Sequence, residues 1–261
     1  MSALITYVLP YYNEADWIEA TIDSLARQTD RRFALVCVDN ASSDAGPAIA
    51  RAAGERIEDV EVRFLEEREP GKINALRTGI SAVTTPFVGT IDADTIYPPQ
   101  YVAACLSALS GDNVVAALAH GLPPDAVDGL RHRRADLYAA LWPDKSHTGG
   151  FGQCFSRDDL EAVGGFDPAI WSHVLEDHEV IHRVGKLGRL GYAHDLYCHP
   201  SERRADRSNC SWSLSERLLY KLMPQSKMDW FFYQFLGPRL TARGLNNLRL
   251  REKTWSDVQG G

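Results

Sequence analysis

The sequence predicts an α/β sandwich on a mostly parallel central sheet, with a helical C-terminal extension. Over residues 1–120, short apolar or β-branched runs alternate with amphipathic stretches, the pattern of βαβ units. The runs also end in Pro10, Asp39 and Asp92, which puts polar residues at the carboxyl edge of the sheet, where open α/β sheets bind ligands. Beyond residue 200 the chain turns basic and aromatic, without strand-like alternation.

Taken in order, the predicted strands are 4–9, 34–39, 60–65, 86–91 and 113–119. Between the first two, Ile18, Ile22 and Leu25 recur at helical spacing behind Asn13 and Glu14, so the spacing predicts a helix over 14–27 with acidic residues at its positive end. Helices follow in the same way from Lys72 to Val83 and from Pro98 to Leu109. After Gly121-Leu122-Pro123-Pro124 the pattern changes. A basic, aromatic helix from Arg131 to Trp142 leads to Gly149-Gly150-Phe151-Gly152, then to Val163-Gly164-Gly165-Phe166-Asp167 and the acidic Glu176-Asp177-His178-Glu179. Internal repeats and low-complexity linkers are absent from the sequence, so 1–120, 121–200 and 201–261 read as layers of one compact unit.

Composition sets the outer bounds. Hydrophobic residues make up 44% of the 261 and charged residues 24%, ordinary globular usage that excludes a collagen-like repeat, a coiled coil or a long disordered tail. Apolar runs fall short of the roughly 18 uncharged residues that span a bilayer, and Leu4–Leu9 lacks a basic leader, so the chain reads as soluble and cytoplasmic. Cys37, Cys105, Cys154, Cys198 and Cys210 are scattered, with no CxxC pair, and read as reduced, packed thiols. The net charge of -7 is unevenly spread. Residues 200–261 hold 11 Lys+Arg against 6 Asp+Glu, and the rest holds 17 against 29. An acidic body argues against nucleic acid as a partner, whereas the basic end suits phosphate-bearing substrate or an anionic membrane.

The sharpest chemical motif is Thr90-Ile91-Asp92-Ala93-Asp94. On an extended segment both carboxylates point the same way and can share one hard cation, Mn²⁺ or Mg²⁺, which also takes phosphate oxygens. Around it stand Val8-Leu9-Pro10-Tyr11-Tyr12-Asn13-Glu14, Val38-Asp39-Asn40-Ala41-Ser42-Ser43-Asp44, and Gly71-Lys72 with Ala75, Leu76 and Gly79. With Gly152–Arg157, the Val163–Asp167 block and Glu176-Asp177-His178-Glu179, these segments resemble the family 2 glycosyltransferases of the GT-A fold over roughly residues 4–199. That resemblance implies an inverting transfer from a nucleoside diphosphate sugar, UDP- or GDP-linked, to an acceptor hydroxyl on a glycan, a lipid-linked molecule or a small molecule.

The resemblance also implies roles. Residues 1–120 would hold the nucleotide sugar and 121–200 the acceptor and catalytic part. Tyr12 beside Pro10 would lie against the base, and Asp39 would accept from its N–H edge, a pairing suited to uracil or guanine. Glu14 would contact the ribose, Lys72 the pyrophosphate, and Asp92 the ribose or metal. Asp94 would bind the cation, with His199 of Tyr197-Cys198-His199-Pro200 as a further ligand, and Arg203 and Arg204 could clamp the diphosphate. Asp177 would be the general base.

Other readings of the same residues remain open at the sequence level. His178-Glu179-Val180-Ile181-His182 matches the HExxH zinc-peptidase pattern, with Glu202 as a third ligand and Gly188 where an extended motif would place histidine. Asp92-Ala93-Asp94-Thr95 imitates a phosphatase DxDxT nucleophile loop, although it follows the fourth predicted strand instead of the first. A catalytically silent sugar-nucleotide-binding module would need a damaged metal or base position. Finally, Leu218-Leu219-Tyr220 with Met223 and Trp230–Leu236, flanked by Lys221, Lys227, Arg239 and Arg243, read either as core covering the catalytic layer or as a peripheral membrane contact at the inner face of a membrane.

Overall fold

The computed structural model describes residues 2–147, 149–202 and 211–248. In chain order its strands are β1 (Ile5–Tyr11), β2 (Phe33–Asp39), β3 (Val62–Glu66), β4 (Phe87–Thr90), β5 (Thr95–Ile96), β6 (Val114–Leu118), β7 (His120–Gly121), β8 (Gln153–Ser156), β9 (Arg189–Gly191) and β10 (Tyr197–Pro200). The helices are α1 (Ile18–Ala26), α2 (Gly46–Gly54), α3 (Lys72–Ser81), α4 (Tyr101–Leu109), α5 (Leu130–Leu141), α6 (Pro143–Ser146), α7 (Arg157–Ala162), α8 (Glu176–Val184), α9 (Leu214–Leu222) and α10 (Gly237–Ala242).

Seven strands form one sheet in the order β3-β2-β1-β4-β8-β6-β9, in which β8 alone runs against its neighbours. The sandwich on a mostly parallel sheet is therefore as the sequence predicts. All seven residues of β1 are buried, because helices cover both faces of a parallel sheet. On one face Leu9, Ile18, Ile22 and Cys105 join a core under α1, α2 and α4. On the other, Val8, Val36 and Val38 meet Ile73 and Leu76 of α3 and Val180 and Ile181 of α8.

Register sets the working edge. Tyr11 pairs with Asp39 and Asp39 with Glu66, so the carboxyl ends of β1, β2 and β3 stand level. Val8 pairs with Thr90, which brings Asp92, two residues on, to the end of β1. A small second sheet, β5-β10-β7, lies beside this edge and sets His199 opposite Ile96.

The predicted helix over 14–27 begins only at Ile18. Residues 13–15 are instead latched to the loop after β2: Asn13 N–H donates to Ser42 Oγ (3.0 Å), Ser43 N–H to Asn13 Oδ1 (2.8 Å) and Ala15 N–H to Asp44 Oδ2 (2.9 Å). These side-chain bonds compete with the helical ladder and win. The DxD geometry also differs from the expected extended strand, since β4 ends at Thr90 and Ala93-Asp94 form a turn.

The C-terminal aromatics are mostly core. Phe231, Phe232, Leu236 and Leu240 are buried with Trp171, Tyr220 and Met228 in a third cluster. Cys37, Cys105, Cys154 and Cys198 are buried free thiols, while Cys210, Arg203 and Arg204 lie outside the described residues.

Candidate active site

The carboxyl edge collects the polar residues from four separate segments. Lys72 opens α3 behind Gly71, whose N–H is taken by Asn40 Oδ1 (2.8 Å); Asn40 Nδ2 in turn donates to the carbonyls of Glu67 and Glu69. One buried asparagine thus fixes the loop that aims Lys72. Its Nζ donates to Asp92 Oδ1 at 2.7 Å and lies 3.8 Å from Glu176 Oε1. Burial works against the ammonium, but Asp92, Glu176 and Asp177 outweigh it and raise the Lys72 pKa. The lysine therefore joins the DxD turn to the start of α8, the two halves of the sequence motif set.

Asp92 and Asp94 are both buried. Asp92 N–H donates to Tyr97 Oη (3.1 Å), and that hydroxyl donates to Phe151 O (2.7 Å), tying the turn to the glycine-rich loop. Asp94 is held from β10: Ser201 Oγ donates to Asp94 Oδ2 and Ser201 N–H to Asp94 O, each at 2.9 Å. His199 donates Nδ1–H to Leu122 O at 2.7 Å, which leaves Nε2 as its lone-pair nitrogen.

Two carboxylates and an imidazole are a donor set suited to Mn²⁺ or Mg²⁺. Their atoms are not gathered into a closed cage. Among the described residues, the one group of three ligands with atoms all within 4.8 Å is elsewhere, at Asp128, His132 and His194. An open set of this kind fits a cation that takes its remaining ligands from a diphosphate.

Asp177 occupies the first turn of α8, where the helix dipole favours a carboxylate. Leu175, just before the helix, is held at φ 68°, a strained conformation for a branched residue of the kind found at functional sites. His178 supplies both its backbone N–H (2.9 Å) and Nδ1 (3.0 Å) to Asp177 Oδ1. Burial raises the carboxyl, yet His178, Lys72 and His147 outweigh it and hold Asp177 far below the usual carboxylate range. Glu176 goes the other way: burial outweighs Lys72 and pushes it up. The adjacent carboxyls are thereby shifted in opposite directions.

The other oxygen, Oδ2, faces the glycine loop. A Cβ on Gly149 would sit 3.5 Å from Oδ2, and one on Gly150 would sit 3.3 Å from Asp177 Cβ and 3.5 Å from Lys72 Nζ. Glycine at both positions keeps Oδ2 unscreened. Asp177 also lines a cavity of about 820 Å³ walled by Tyr138, Lys145, His147, Trp212 and Tyr220.

The residues expected from the sequence to meet the nucleotide lie at the carboxyl ends of β1 and β2. Pro10 is buried at the end of β1, and Tyr12 and Glu14 are half-buried in the loop beyond it. Asp39 Oδ1 accepts from Ser42 N–H (3.1 Å), which orients the carboxylate at the end of β2.

The HExxH reading fails on geometry. His178 turns to Asp177 and His182 Nε2 to Asp229 Oδ1 (2.7 Å), while Glu179 is locked by Arg183 Nε (2.7 Å) and Tyr233 Oη (2.5 Å). Motif reasoning also missed Tyr97, Gln153, Ser201 and His147. Gln153 Nε2 holds Asp177 O at 3.0 Å, and nothing in local spacing announces such a contact across 24 positions.

Known proteins resemble this chain in sequence and in fold. The sequence model described as glycosyl transferase family 2 matches residues 6–160. Glycosyltransferase AglE of Haloferax volcanii is 26% identical over 211 residues, 76% of this chain and 67% of its own length. The undecaprenyl-phosphate 4-deoxy-4-formamido-L-arabinose transferase of Pseudomonas aeruginosa is 30% identical over 149 residues, 54% of this chain. This chain spans only 40% of that relative. Among solved structures, the mannosyltransferase PcManGT from Pyrobaculum calidifontis, in complex with GDP-Man and Mn²⁺, aligns over 93% of this chain and 73% of its own with TM-score 0.68 and 22% identity. S. aureus TarS in complex with UDP-GlcNAc aligns over 97% and 76%, with TM-score 0.60 and 15% identity. At such identities the structural likeness establishes the GT-A fold.

Proposed function

The chain belongs to glycosyl transferase family 2, and from that premise we propose that it transfers a sugar from a UDP- or GDP-sugar to an acceptor hydroxyl with inversion, assisted by Mn²⁺ or Mg²⁺. One observation carries the reading: Lys72 links Asp92 of the DxD turn to Glu176 beside Asp177, so that donor-side and acceptor-side groups meet at one point of the sheet edge.

In this reading Pro10 and Tyr12 flank the base, and Asp39 accepts from its N–H edge through the oxygen that Ser42 does not fix. Glu14 and Asp92 serve the ribose, and Lys72 brings its protected positive charge to the diphosphate. Asp94 and His199 would hold the cation, which supplies Lewis-acid stabilisation of the departing diphosphate. Asp177 Oδ2 accepts the proton of the acceptor hydroxyl as that oxygen attacks the anomeric carbon, and a single in-line displacement inverts the centre. Held below the usual carboxylate range by its charged neighbours, Asp177 meets the hydroxyl as an ionised proton acceptor.

The acceptor hydroxyl sits on a glycan, a lipid-linked molecule or a small molecule. Peripheral contact with the inner face of a membrane is part of the proposal, moved from the aromatic run, now core, to the outward faces of α5 and α9. No helix among the described residues is long and apolar enough to cross a membrane.

Thermal-shift titration with UDP and GDP tests the donor assignment, since a ligand at about 100 times its Kd stabilises by roughly 2.7 kcal/mol. We expect one of the two to raise Tm only with Mn²⁺ or Mg²⁺ present. Asp94→Asn should remove that metal-dependent increment. An increment indifferent to EDTA would overturn the metal-assisted scheme.

A further inference from the structure

The cavity beyond Asp177 contains a cation that its surroundings leave under-compensated. Lys145, half-buried in α6, lines the cavity with its Nζ 4.3 Å over the Tyr220 ring and 2.9 Å from Met228 Sδ. Among the described residues no carboxylate lies within ion-pair distance of it. The α9 carboxylate on the neighbouring wall, Glu216, is already taken by Ser213 N–H (2.7 Å), Arg239 Nε (3.3 Å) and Arg243 (2.8 Å). A ring face and a thioether compensate an ammonium only weakly. Arg217 and Lys221 of α9 line the same cavity, Lys221 lying 5.6 Å from the Tyr138 ring, and neither makes an ion pair among the described residues. Burial also drives the Lys145 pKa down to about 8, and the neighbouring Asp144 carboxylate offsets this only in part.

The walls fit a small organic body between that cation and the base. Tyr138, Trp212 and Tyr220 make its wall aromatic, and contacts run from Asp177 through His178 and His147 to Tyr220. An acceptor spanning this path would present its hydroxyl at one end and an anionic group at the other.

We infer that the acceptor is a phosphate-bearing molecule, its phosphate bound by Lys145 with Arg217 and Lys221 while its hydroxyl faces Asp177. The inference rests on the assignment of Asp177 as base. A free phosphate ester and a lipid headgroup share this chemistry.

Titration of the full chain, followed by tryptophan fluorescence because Trp212 lines the cavity, tests it. The probes are glycerol 1-phosphate and phosphatidylcholine vesicles with and without phosphatidic acid, in the presence of saturating nucleoside diphosphate. We expect saturable binding of a phosphate probe that weakens about tenfold in Lys145→Met, the scale of one charge-assisted hydrogen bond, and recovers in Lys145→Arg. Glycerol 1-phosphate binding points to a soluble ester, and binding only to phosphatidic acid vesicles points to a lipid headgroup. Nucleoside diphosphate affinity should be the same in Lys145→Met as in the wild type. Absence of binding by every probe, or an affinity indifferent to Lys145→Met, overturns the inference. Phosphate binding that needs Lys145 in a chain that binds no nucleoside diphosphate would sink the donor reading and leave the anion site standing.

Discussion

Single side chains divide the labour at this site by their surroundings. Asp177 and Glu176 are neighbours of the same chemical type, yet charge neighbours hold one ionised while burial lifts the other. If Asp177 is the base, Asp177→Asn should bind donor as the wild type does and lose roughly 10²-fold or more in turnover, measured under single-turnover conditions. Wild-type turnover in that variant would return Asp177 to a capping role. Lys145 predicts a pH effect of opposite kind. Its folded pKa lies below the unfolded value, so its charge is lost as pH rises through about 8, and glycerol 1-phosphate affinity should fall there. By linkage, the stability cost of holding this ammonium is fully present below about pH 8 and is relieved as pH rises toward the ordinary lysine value. Lys145→Met should therefore keep or raise Tm at pH 7 in the absence of phosphate, and a marked drop in Tm would contradict the under-compensated cation. Asp92, Lys72 and Asp177 were legible because each sits in a short motif with its own local pattern. Lys145, Tyr97 and Ser201 were not, because their meaning lies in contacts with Tyr220, Asp92 and Asp94 that only folding creates.

Elements position those side chains through close packing as much as through hydrogen bonds. α3 carries Lys72 at its start and lies on β1 at Gly79, where a Cβ would come within 2.3 Å of Val8 Cγ1 and 3.0 Å of Val38 Cγ2. Gly79→Ala must push the helix off the sheet. We expect a loss on the order of 1–3 kcal/mol in urea unfolding, together with weaker nucleoside diphosphate binding as Lys72 is displaced. An unchanged midpoint would show that α3 can shift freely. The periodicity of the first half revealed β1–β4 and β6 within a few residues, since buried parallel strands read as apolar runs, but not the two-residue β5. It could not reveal β8–β10 or α2. The first three are short strands whose place depends on partners far along the chain, such as Gly89 opposite Cys154, and α2 is a helix of mostly small residues with Ile49 as its one large apolar side chain. The DxD pair was found for a geometric reason that does not hold: a turn pinned by Tyr97 and Ser201, not strand alternation, sets its two carboxylates.

For the whole molecule, the uneven charge seen in the sequence acquires a location. The acidic body forms the sheet and its edge, and the described part of the basic end, residues 211–248, lines the cavity through α9 and buries Tyr220, Phe231 and Phe232. The outward faces of α5 and α9 are nonetheless unusually apolar. Leu214, Leu218 and Leu222, at successive turns of α9, are 84%, 59% and 73% exposed, and Leu130, Leu137, Leu141 and Trp142 are exposed on and beside α5. The cations Arg131, Arg133, Arg134, Arg217 and Lys221 are exposed on the same two helices, which both wall the cavity. Apolar side chains flanked by cations suit the interface of an anionic bilayer, and an acceptor taken from that bilayer would enter beside Lys145. The expected outcome is cosedimentation of the full chain with phosphatidylglycerol vesicles at low salt. The binding should weaken strongly near 1 M salt, where the Debye length falls to about 3 Å. Leu218→Glu combined with Leu222→Glu should abolish it without lowering Tm, because both side chains already face water. Should the wild-type chain remain in the supernatant at low salt, the membrane contact is wrong, and a soluble phosphate ester becomes the acceptor to pursue.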